Sequence, residues 1–82
     1  MKNIDMKYNK TEQKIIDKLE LGEHDEEITN PFSKATVVLP PLGVALYDLI
    51  TGSEITGRYK DFDNARYLFS KLYPEAYMIL ID

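Results

Sequence analysis

Between Val37 and Gly52 the chain reads Val-Val-Leu-Pro-Pro-Leu-Gly-Val-Ala-Leu-Tyr-Asp-Leu-Ile-Thr-Gly, its most apolar run. Leu42, Ala45, Leu46, Leu49 and Ile50 recur at helical spacing, and Val44 and Tyr47 widen the apolar surface until only Asp48 and Thr51 are clearly polar. Such a helix needs neighbours on more than one flank, so the remaining segments are expected to wrap it. Pro41 suits a first helical turn, where its missing N–H is no loss, and Gly52 suits the position just past a helix end, where positive φ is common. The spacing therefore predicts a buried central helix closed at Pro41 and Gly52.

With 82 residues in all, the chain has no material for a second core, and residues 1–82 are read as one domain. A domain this small buries a modest share of its surface, so self-association would help it, and a homodimer is expected. Cysteine is absent, which removes disulfides, thiolate metal sites and cysteine nucleophiles and fits a reducing cytosol. The first ten residues are charged and lack the apolar stretch of a secretory signal. No run approaches the roughly 18 apolar residues of a membrane span, so a soluble protein with no membrane association is expected.

The net charge of −4 is unevenly spread. Lys2, Lys7, Lys10, Lys14 and Lys18 make the start mildly basic, whereas Glu20, Glu23, Asp25, Glu26 and Glu27 meet no basic residue before Lys34. The plain reading of that stretch is a solvated loop; the sharper one is a surface for a basic partner.

In chain order, Asn9 followed by Glu12 resembles a capping box, and Ile15, Ile16 and Leu19 form an apolar stripe, predicting a helix from about Lys10 to Leu21 closed by Gly22. Before it, residues 1–8 either fray or lay Ile4, Met6 and Tyr8 on the core. Glu27 to Leu39 holds two β-prone runs around Asn30-Pro31-Phe32-Ser33, a hairpin signal. Phe32 is expected to fold back as a lid on the central helix or to join the core; the alternative is an exposed interface residue. Pro40-Pro41 stops the second strand. Residues 53–60 read as connector, with Ile55 extending the central helix if Gly52 is internal. Asp61 or Asp63 caps a further helix to about Tyr73, with Phe62, Ala65, Phe69 and Leu72 on its apolar face and Pro74 ending it. In the tail, Tyr77, Leu80 and Ile81 match a short helix with Pro74 in its first turn, although the alternation also suits a strand; helix is preferred. The fold class is thus α+β and mostly helical: N-terminal helix, small β-hairpin, buried central helix, then one long and one short C-terminal helix.

Little in the chain points to catalysis. The four glycines, at 22, 43, 52 and 57, form no phosphate-cradling loop. His24 is the sole histidine; it stands among acids without the convergent partners that a metal site or a general base requires. Asp61 and Asp63 supply too few oxygen ligands for a hard cation, and capping accounts for both. A non-enzyme without catalytic residues, cofactor or metal is expected. Arg58, Tyr59, Lys60, Arg66 and Tyr67 interleave basic and aromatic residues, the combination that stacks on bases and pairs with phosphate. The acidic balance of the whole chain opposes a polyanion, so nucleic acid is a disfavoured alternative.

Asn30-Pro31-Phe32-Ser33, then Val37 to Leu39, Ala45-Leu46-Tyr47-Asp48-Leu49-Ile50 with Gly52 and Glu54, Phe62, Arg66, Phe69, Pro74 and the ending Tyr77-Met78-Ile79-Leu80-Ile81-Asp82 together resemble a widespread group of small uncharacterised proteins from bacteriophages and prophages. The resemblance covers roughly residues 27 to 82. Members often carry glycine after the Asn-Pro-Phe-Ser turn, where this chain has Lys34. What the resemblance implies is a phage product acting in the cytoplasm of the infected bacterium or packaged in the virion; it brings no catalytic or ligand-binding residues with it. The leading expectation is an accessory protein that binds a host or defence protein through Glu20, Glu23, Asp25, Glu26, Glu27 and Phe32. The alternatives are a minor virion or assembly component self-associating through its apolar C-terminus, and a nucleic-acid-binding module using Arg58, Tyr59, Lys60 and Arg66.

Overall fold

Six elements follow one another in the computed structural model, which describes residues 8–57 and 59–81: α1 (Lys10–Asp17), β1 (Glu26–Thr29), β2 (Thr36–Leu39), α2 (Pro41–Thr56), α3 (Tyr59–Leu72) and α4 (Pro74–Leu80). This is the predicted order, a mostly helical α+β fold with one two-stranded antiparallel hairpin.

Asn9 caps α1 as its spacing with Glu12 suggests: Asn9 Oδ1 accepts from the Glu12 N–H at 2.8 Å, and Glu12 Oε1 accepts from the Asn9 N–H at 3.0 Å. The helix stops at Asp17 with Lys18 as its C-cap, short of the predicted Leu21 and Gly22. Leu19 is the last residue of this region to pack against the core, and residues 20–27 are all exposed. Continuing the helix would also stack Glu20, Glu23 and Glu27 at like-charge spacings of three and four.

In the hairpin, Glu26 pairs with Leu39, Glu27 with Val38, Ile28 with Val37 and Thr29 with Thr36. Ile28, Val37 and Leu39 therefore share the inner face, and Glu27, Thr29, Thr36 and Val38 the outer one. Leu39 is the best-buried member.

The central helix is as enclosed as predicted, with Val44, Leu46 and Ile50 in the core, but its end is not where expected. It runs through Gly52 to Thr56 and closes on Gly57, whose φ of +77° turns its N–H back to the Ser53 carbonyl. Gly52 is internal and solvent-facing; Gly43 instead allows close approach, because a Cβ there would lie 3.0 Å from Leu39 Cδ2 and 3.3 Å from the Tyr73 ring. Ser53 is buried, and its hydroxyl has no hydrogen-bond partner among the described residues.

A short link returns the chain as α3, which begins ahead of Asp61 and Asp63, so neither acid is its N-cap. Ala65, Leu68 and Phe69 are wholly buried against α2 in the most extensive helix contact of the molecule. The Phe69 ring bridges Tyr47 and Tyr73, at centroid distances of 6.3 Å and 5.8 Å. The tail is helical: α4 buries Ala76 and Leu80, leaning on α3 and β2. α1 lies on α3, tied by Glu12 Oε2, which accepts from Lys71 Nζ at 2.8 Å. Among the described residues no helix is long and apolar enough to cross a membrane.

Candidate functional site

Asn30 organises the hairpin tip. Its N–H donates to the Ala35 carbonyl at 2.8 Å, and its carbonyl accepts from the Lys34 N–H at 2.9 Å. Its Oδ1 accepts from the N–H groups of Phe32 at 2.8 Å and Ser33 at 3.2 Å, and its Nδ2 donates to the Ile79 carbonyl of α4 at 2.8 Å. An Asn before Pro is a local turn signal; the bond to α4, 49 positions away, locks that turn to the body.

On this braced turn Phe32 is 92 % exposed. It is neither lid nor core, because Asn30 holds the loop against α4 while the inner face of the hairpin is already filled by Ile28, Val37 and Leu39. Lys34 takes φ +67°, a left-handed conformation that an L side chain rarely adopts. Toward the open end of the hairpin, Val38 is exposed on the outer face opposite Glu27. A shallow hollow of about 260 Å³ lies between β2 and the α3–α4 joint, walled by Val38, Pro40, Tyr73 and Pro74. Burial raises the Tyr73 phenol above its ordinary value, and Tyr8 adds to the shift.

The structure divides the acidic stretch. Glu20, Glu23 and Asp25 belong to the exposed loop after α1, whereas Glu26 and Glu27 are strand residues of β1, and Glu27 alone of these shares the outer face with Val38. His24 is exposed, and no three His, Asp or Glu side chains converge on a metal position among the described residues.

Of the basic–aromatic cluster, the structure describes the side chains of Lys60, Arg66 and Tyr67. Arg58 and the side chains of Tyr59 and Asp61 lie outside the described part. Lys60 and Arg66, both exposed, are six residues apart on α3 and so about 120° apart around the helix. Arg66 stands 5.7 Å from the Phe62 ring centre. Lys60 instead meets Lys14 and Lys18 of α1 at a groove of about 600 Å³. That grouping went unread in the sequence, where the available signal was the spacing of Lys14 and Lys18 by four beside the apolar pair Ile15 and Leu19. The apolar C-terminus, expected to drive self-association, turns Ala76 and Leu80 into its own core and leaves Met78 outward at 69 % exposure.

Comparison of the chain with protein-family models, with curated proteins and with solved structures gives no match.

Proposed function

We propose that the chain is a non-enzymatic phage accessory protein that binds a host or defence protein through the hairpin, with Phe32 as anchor. The observation that carries the reading is the near-complete exposure of Phe32 on a turn that Asn30 fixes at both ends. Exposing an aromatic ring in water has no folding benefit, whereas a rigid turn bearing one lowers the ordering cost of binding. Val38 and the hollow beside it offer a second apolar contact toward the open end of the hairpin, and Glu27 with the neighbouring acids supplies a polar rim that favours a basic partner. The phage setting comes from the resemblance of residues 27 to 82 described above.

The test is affinity capture from infected cells, then titration of the captured protein against purified variants. Phe32→Ala is expected to weaken binding by about 2 kcal/mol or more, roughly 30-fold, as anchors at interface centres do, with an unchanged melting temperature. Reversing Glu26 and Glu27 should mainly slow association. Equal affinity for wild type and Phe32→Ala would remove the hairpin from consideration.

A further inference from the structure

The groove between α1, α2 and α3 has a composition that calls for an acidic occupant. From α1 and the two residues that follow it, Lys14 and Lys18 line the rim while Ile15 and Leu19 form the floor; Leu49 of α2 completes the floor and Lys60 of α3 the opposite rim. Among the described residues no carboxylate lines it, and none of the three lysines forms an ion pair with a described residue. Three ammonium groups around one aliphatic floor repel one another until an anion enters between them. Among the described residues the floor carries no aromatic ring on which a base would stack, and the chain's net charge of −4 opposes a polyanion.

The chain itself carries a segment with the complementary chemistry. Glu20-Leu21-Gly22-Glu23 places an aliphatic side chain between two carboxylates; all four residues are exposed, with Leu21 at 49 %. Within one molecule this segment leaves the groove at Leu19 and runs on to β1. We propose that the groove receives Glu20–Glu23 of a second copy, and that each copy does this for the other. Groove and segment adjoin at Leu19, so a two-fold axis beside that residue brings both halves onto one continuous, self-complementary patch. Leu21 meets the Ile15, Leu19 and Leu49 floor, and Glu20 and Glu23 reach the lysine rim. This pairing does not depend on the hairpin reading: Phe32 lies at the far end of β1, and Glu26 and Glu27 stay on the strand.

A charge swap tests it in the full-length chain by sedimentation velocity over a concentration series. Wild type is expected to dimerise reversibly. Lys14→Glu/Lys18→Glu and Glu20→Lys/Glu23→Lys are each expected to sediment as monomers, with self-association weakened at least about tenfold, and an equimolar mixture of the two should restore a dimer of wild-type mass. Leu21→Asp, at an exposed loop position, should also be monomeric and serves if a helix variant misfolds, as checked by circular dichroism. Phe32→Ala should dimerise like wild type, which separates this proposal from the hairpin reading. A monomeric wild type, including one that takes up an unrelated acidic peptide, overturns the proposal, as does a folded swap pair that stays apart when mixed or a Leu21→Asp chain that still dimerises.

Discussion

Lys34 shows how one residue can sit against its own backbone preference. Its φ of +67° costs an L residue about 1 to 2 kcal/mol, and glycine avoids that penalty while losing part of the gain to its greater freedom in the unfolded chain. Lys34→Gly is therefore expected to stabilise the protein by about 0.5 to 1 kcal/mol in urea titrations. Phe32 is the other residue whose setting the sequence left open. Local chemistry identified the Asn-Pro turn, but the direction of the ring depends on Asn30 reaching the Ile79 carbonyl, a partner 49 positions distant.

Among the elements, α2 contains two glycines with opposite roles. Gly52 faces solvent with nothing near a would-be Cβ, so Gly52→Ala should stabilise the helix by about 1 kcal/mol. Gly43 sits where the helix start meets Leu39, itself buried, and Tyr73, so Gly43→Ala should cost about 1 to 3 kcal/mol by overpacking. Paired thermal melts check both signs. The first helix is held differently. The hydrogen bond from Lys71 lowers the Glu12 carboxyl below its ordinary 4.5, and the Asn9 N–H lowers it further, while the hydrogen bond to Glu12 raises Lys71 above its ordinary 10.5. A depressed carboxyl contributes stability that is fully present above pH 4.5 and is lost as pH falls through its folded value; a raised lysine contributes stability that is present below pH 10.5 and lost as pH rises through its folded value. Protection factors of the α1 amides, taken against intrinsic exchange at each pH, should therefore fall on acidification below pH 4.5, and Glu12→Gln should remove that fall. The capping half of Glu12's role was legible from Asn9, three residues away; the tie to Lys71 was not, because 59 positions separate the pair.

At the scale of the whole molecule, the two proposals concern separate surfaces. The hairpin presents Phe32 outward, and the α1–α2–α3 groove offers lysines to an acidic segment, so the two predicted phenotypes are separable: loss of partner capture for Phe32→Ala, loss of the dimer for the charge swap. The order of elements, the central helix, the hairpin pairing and the α1 cap were determined by the sequence alone, since apolar period, proline position and capping spacing act within a few residues of one another. The helix ends, the outward turn of Phe32 and the meeting of Lys60 with Lys14 and Lys18 were decided by tertiary structure. α2 carries Ser53 into the core past Gly52 and closes only where Gly57 supplies a positive φ, while α1 ends at Asp17, just before the chain turns into the exposed acidic stretch after Leu19. Side chains from different elements become neighbours only after the core has set the angles between them.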